Sequence, residues 1–229
     1  SAGPPVTLGG FQETDAAFFH QIFYSSTFDS AELNLRRRWI APNCRIQGST
    51  IHGVRYFQLE EDFRHRTFTD TTIPTNSPPL DIWRGNLDYN VGTMNSMVGY
   101  QMGGDMWLSI IPGLRVGGEF KAGVFYNRVN QQTRITGNDV NGPSVFVFET
   151  FYEDAVALVS QVDMAITWRI NPNFTIRGGY QLLYADGVAL AIENYNPQPP
   201  AIAGARTPFL NHNGDLFLHG FTIGTEWMW

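Results

Sequence analysis

The sequence predicts an all-β chain, an antiparallel transmembrane β-barrel. Three observations predict it. Apolar and polar side chains alternate with a period of two over long stretches, the connections between those stretches alternate in length, and aromatic residues gather at both ends of the apolar faces. No convincing amphipathic helix of period 3.6 is present. No run of 18 or more apolar residues offers a transmembrane helix, although 43% of the 229 residues are hydrophobic.

The strands are expected at roughly 22–40, 50–65, 84–101, 114–131, 149–169, 173–186 and 214–229. In the first, Ala31, Leu33, Leu35 and Trp39 share one face, with Glu32, Asn34, Arg36 and Arg38 on the other. The second and third show mixed parity, for which a β-bulge would account. From Val116 to Tyr126 the even positions are apolar or glycine, and Glu119 and Lys121 lie between them. From Val156 to Trp168 the even set is largely apolar, and Gln161, Asp163 and, one step on, Arg169 oppose it. From Phe174 to Tyr184 the even set is apolar against Arg177 and Gln181. At the end, Phe217, Phe221, Ile223, Trp227 and Trp229 share a face opposed by Glu226.

Residues 41–49 and 170–172 read as short connections and 102–113 as a modest one. Residues 66–83, 132–148 and 187–213, rich in Pro, Asn, Gly and Thr, read as long loops. Seven is an odd number where single-chain bacterial barrels are even. Residues 1–21 are therefore expected to be an N-terminal segment or an extra strand, with Val6–Phe11 or a separate Phe18–Tyr24 as candidates, before a barrel domain over 22–229. The whole would be an even-numbered barrel of 8–12 strands. The Ser-Ala-Gly-Pro-Pro start points to a processed product or a part of a longer one.

A soluble β-sandwich also alternates. What favours a membrane barrel is the aromatic placement: Trp39, Trp168, Phe174, Trp227 and Trp229 at short-turn ends, Tyr126 and Tyr184 at long-loop ends, all on apolar faces. Phe174 to Tyr184, at about 3.3 Å per residue and a tilt near 45°, spans roughly 23 Å, close to the apolar band of such barrels. The chain also ends on an aromatic, Trp229.

Other classes are disfavoured. Net charge is −6, from 15 Lys and Arg against 21 Asp and Glu, which speaks against a nucleic-acid partner. The single cysteine, Cys44, excludes an intrachain disulfide framework and a cysteine-rich zinc site. His212, Asp215 and His219 are close in sequence, but nothing in their spacing compels a metal site. No nucleophile elbow, phosphate loop, dinucleotide fingerprint or His-Glu-x-x-His is present, so no enzyme activity, metal or cofactor is expected.

The segments Ala31–Trp39, Gly53–Phe63, Lys121–Arg128, Arg177–Ala191 and His219–Trp229 resemble, in that order, the seventh putative beta-barrel porin family, found mainly in planctomycete bacteria. The resemblance implies a barrel in the bacterial outer membrane, in contact with its lipid. It supplies no catalytic or ligand-binding residue to carry over. The polar faces then give the lumen candidates: Glu32, Glu119, Asp163 and Glu226 as acids, Arg36, Arg38, Arg115, Lys121 and Arg177 as bases. Two roles follow as expectations: a porin-like channel for passive diffusion of small solutes, or a plugged, structural barrel in an envelope assembly. A soluble all-β binding domain is the third. Loops 70–82 and 194–208 are expected to meet identical or different barrel subunits.

Overall fold

Period-two alternation is realised as seven strands: β1 (Phe19–Ile40), β2 (Ile46–Phe68), β3 (Gly85–Ile111), β4 (Leu114–Asp139), β5 (Val145–Asn171), β6 (Phe174–Val188) and β7 (Gly214–Trp227). They come from a computed structural model that describes residues 17, 19–42, 45–68, 85–139, 145–195 and 210–227. All pair antiparallel with their sequence neighbours in one sheet of order β1 to β7, and no helix occurs among the described residues. Each edge strand therefore has one neighbour among the described residues. Because direction alternates across the meander, β1 and β7 run the same way.

Several strands outrun their expected ends. Residues 102–111, read as a connection, are strand, and the turn is the two residues Pro112 and Gly113. Proline fixes its own φ, and Gly113 takes φ 89°, which residues with a Cβ rarely adopt. Most of 132–148, read as a long loop, is also strand, since β4 reaches Asp139 and β5 starts at Val145. Phe18–Tyr24 is no separate strand, because β1 is continuous from Phe19. Loop 70–82, nearly all of loop 194–208 and Cys44 lie outside the described residues.

The two faces exchange character part-way along the strands. Ala31, Tyr56, Val98, Tyr126 and Val156 are in register on the outer face. From this row toward the short turns the outer face is mainly apolar and exposed, through Leu33, Leu35, Val54, Met102, Met106, Val116, Phe120, Val124 and Ile166, with Arg37, Thr50 and His52 as polar exceptions near β1. The next row toward the long loops is Asp29, Gln58, Ser96, Arg128 and Asp154, also in register. Beyond it the outer face is mainly polar, with Asp62, Arg64, Asp88 and Arg134, though Phe19 and Phe23 on β1, Phe68 on β2 and Phe146, Phe148 and Tyr152 on β5 break the pattern.

The inner face does the opposite. On the long-loop side it buries Phe57, Leu59, Phe63, Tyr89, Val91, Met97, Phe125 and Ile135, and on the short-turn side it holds the ionic residues. This inversion, and no bulge, explains the mixed parity of β2 and β3. Register is unbroken along β1–β2 and β2–β3, and the irregularities fall at Ser109/Ile111, Arg169/Asn171 and Asp186/Val188.

The sheet is strongly curled. Strands lie about 4.8 Å apart, so a flat sheet would hold β1 and β4 about 14 Å from each other. Arg36 on β1 nevertheless reaches Glu119 on β4 at 2.7 Å, and Arg55 on β2 reaches Gln161 on β5 at 2.8 Å. Glycine on the crowded inner face permits this: a Cβ on Gly99 or Gly103 would run into the Val124 or Phe120 carbonyl of β4.

Candidate functional site

The short-turn half of the inner face is built by register. One row reads Arg38, Ser49, Asp105, Glu119, Asp163, Gln181 across β1 to β6. The adjacent row reads Arg36, Ile51, Gly103, Lys121, Gln161. Arg36 donates to Asp105 at 3.0 Å and to Glu119 at 2.7 Å. Lys121, buried, donates to Glu32 at 2.9 Å and lies 3.1 Å from Glu119. Gln101 donates to Glu32, Ser49 to Asp105, Arg55 to Ser30 and Gln161, and Gln161 in turn to Asp163. Nearer the turns, Arg177 pairs with Glu226 at 2.6 Å, both largely exposed.

Thus seven of the nine lumen candidates, Glu32, Arg36, Glu119, Lys121, Asp163, Arg177 and Glu226, sit in ion pairs or hydrogen bonds. Arg38 and Arg115 are in no ion pair among the described residues. The Arg115 guanidinium lies 5.7 Å from the Trp107 ring centroid, and its buried Nε has no hydrogen-bond partner. A cavity of about 930 Å³ opens here, lined by Arg36, Arg38, Arg115 and Arg177 together with Asp105 and Asp163.

The long-loop half of the inner face is covered by a part of the chain that sequence reasoning left in a loop. After β6, residues 189–195 fold back onto the inner face. Val188, Ala189, Ala191 and Asn194 have no solvent exposure. Val188 joins a cluster with Phe57, Leu59, Met97, Phe125 and Leu183, and Ala191 joins one with Phe63, Leu87, Tyr89 and Ile135, against which Tyr195 packs. Gly187, at φ 81°, makes the bend.

Buried polar groups hold the segment's backbone. Asn127 donates to the Gly187 carbonyl at 3.0 Å. Asn95 donates to the Ala189 carbonyl and accepts from the Ala189 amide, both at 2.8 Å. Glu61 accepts from the Ala191 amide at 2.9 Å and from the Tyr24 hydroxyl at 2.5 Å. Burial first, then the hydrogen bond to Glu61 and its charge, push the Tyr24 phenol up, so it remains a donor.

At the rim, Tyr195 Oη lies 2.9 Å from His65 Nδ1, and His65 Nε2 lies 3.2 Å from His20 Nδ1. These histidines are far apart in sequence, so only the β1–β2 register brings them together. Burial, and secondarily the charge of His20, push the His65 imidazole down. Burial and neighbouring Tyr89 push the Tyr195 phenol up to about 12. One sequence signal for the segment was present: the run Val188-Ala-Leu-Ala191 directly after a glycine is more apolar than a solvated loop needs.

Of the aromatic girdle candidates, Trp39, Tyr126, Trp168, Tyr184 and Trp227 are exposed on the outer face, and Phe174, half-buried there, packs on Trp227. Trp229 lies outside the described residues. Tyr126 is not at a strand end as the sequence implied. It marks the edge of the apolar belt, and β4 continues to Asp139. From Leu114 to Tyr126 the belt is roughly 28 Å tall at about 3.3 Å per residue and 45° tilt. Among the described residues no group of three or more His, Cys, Asp or Glu could hold a metal ion. His219 lies 2.8 Å from the Tyr180 hydroxyl, and His212 lies 3.4 Å from Glu153.

Neither the curated proteins nor the solved structures yield a match. The model of the family described as Putative beta barrel porin-7 matches residues 20–229. With seven antiparallel strands in one curled sheet, an exposed apolar belt and an ionic inner face, the chain belongs to that β-barrel porin family.

Proposed function

We propose that the chain is an outer-membrane β-barrel whose apolar belt lies in lipid, whose inner face lines the bore, and whose bore is closed at the long-loop end by residues 187–195. The porin family implies a channel or structural role rather than an enzymatic one. A belt roughly 28 Å tall, bounded by a polar row, matches the hydrocarbon thickness such barrels cross. A closed sheet is also the β-architecture that leaves no backbone group unpaired in lipid.

The observation that carries the closed, structural reading is the unexposed packing of Val188, Ala189, Ala191 and Asn194 against the inner face. Passive diffusion of small solutes is the second reading, favoured by the cavity of about 930 Å³ on the short-turn side. Single-channel recording in planar bilayers separates them. The closed reading expects no conductance above background, and discrete steps once residues 189–194 are replaced by a short Gly-Ser link. Steady conductance of the unaltered protein overturns it in favour of diffusion. Extraction into buffer without detergent would defeat both.

A further inference from the structure

We infer that the short-turn cavity is a binding site for a small oxyanion, a phosphate or carboxylate group, held by Arg38 and Arg115. Four arginines and two aspartates line it. Two of the arginines are already satisfied: Arg36 by Asp105 and Glu119, Arg177 by Glu226. Asp105 also accepts from Ser49, and Asp163 from Gln161. Among the described residues two cations of the lining, Arg38 and Arg115, remain with no carboxylate on either, in a chain whose net charge is −6.

Arg115 is prepared for a ligand. The Trp107 face holds its guanidinium by a cation–π contact, while its buried Nε has no acceptor. The cavity reaches Arg115, whose guanidinium no carboxylate neutralises among the described residues, so its terminal N–H groups can donate to an oxyanion there. Arg38 supplies the second charge from β1, in the same lining. The hydroxyls of Ser49 and Thr167 and the amide of Gln181 are further polar groups in the lining.

The inference rests on the inner face being a bore, and its test separates failure of that reading from failure of the site. The full chain is extracted in zwitterionic detergent, and heat-modifiable gel migration confirms a folded barrel. Inorganic phosphate is then titrated by isothermal calorimetry. Saturable binding is expected, at least tenfold weaker in Arg38→Gln/Arg115→Gln and unchanged in Arg128→Gln, an outer-face control.

Repeating the titration in nanodiscs with and without phosphatidylglycerol identifies the source. Competition by the anionic lipid assigns the site to a headgroup phosphate, and no competition assigns it to a free solute. No saturable phosphate binding by the heat-modifiable protein, or equal weakening in Arg128→Gln, overturns the site. A chain that stays in buffer without detergent overturns the barrel reading instead, whatever the phosphate result.

Discussion

Replacing Asn95 by Ala should release the inward segment without unfolding the sheet. The Asn95 amide makes two 2.8 Å bonds to Ala189, one to its carbonyl and one from its amide. It also accepts from Asn127 at 3.1 Å. All three residues are unexposed, so water does not replace what is lost. A buried donor or acceptor left without a partner costs about 1–3 kcal/mol, so the two groups of Ala189 together lose about 2–6 kcal/mol of seating free energy. At about 1.4 kcal/mol per decade, even the low end raises segment opening roughly thirtyfold.

Hydrogen exchange read by mass spectrometry is the assay. The amides of Ala189 and Ala191 should exchange at least thirtyfold faster in the variant, while β3 and β4 peptides below the Tyr126 row stay protected. Unchanged protection at Ala189, or a loss spread evenly over the sheet, would refute the view that Asn95 latches a separable segment.

Three further outcomes are expected. The His65 imidazole has a lowered folded-state value, so the unfolded or released state binds the extra proton. Its contribution is therefore complete above the ordinary histidine value of 6.5 and fades as pH falls through the lower folded value. Exchange at Tyr195 should rise in acid, and His65→Phe should flatten the profile. Lys121→Met leaves Glu32 and Glu119 without their shared buried cation, which costs about 3–5 kcal/mol when a buried pair is broken. The one-third exposure of the Glu32 side chain draws this toward the lower end, and a fall in the temperature of heat-modified gel migration measures it. Phe120→Arg at the middle of the belt should cost about 2–4 kcal/mol of folding stability in lipid vesicles, while Gln132→Arg beyond the polar row should cost close to none. Equal effects at the two positions would contradict the lipid assignment.

Strands β4, β5 and β6 were legible in sequence because their belt segments obey one rule: apolar outward, ionic inward. β2 and β3 were not. Phe57, Leu59 and Phe63 point inward while Val54 and Tyr56 point outward, and a single-face pattern cannot hold both. The extension of β4 past Gln131 hid for a related reason: Gln132, Arg134 and Thr136 face outward, which dilutes the apolar signal to Ile135. Residues 102–113 read as a connection, although Gly103 within them is where the curl needs no side chain. The ion pairs were beyond reach, because Arg36 and Asp105 are 69 residues apart, and Lys121 and Glu32 are 89. Candidate ionic residues could be named from alternation, but partners follow from register and curl.

The shared direction of β1 and β7 constrains the molecule's girth. Bringing those two margins together directly would create the one parallel ladder in an otherwise antiparallel sheet, with slanted bonds and a weaker join per residue. Only an odd number of oppositely running strands between them avoids it. Leu33, Leu35, Phe221 and Ile223, the most exposed apolar side chains beside those margins, would then flank the closure. Circumference, and with it the width available to anything inside, is settled at that join.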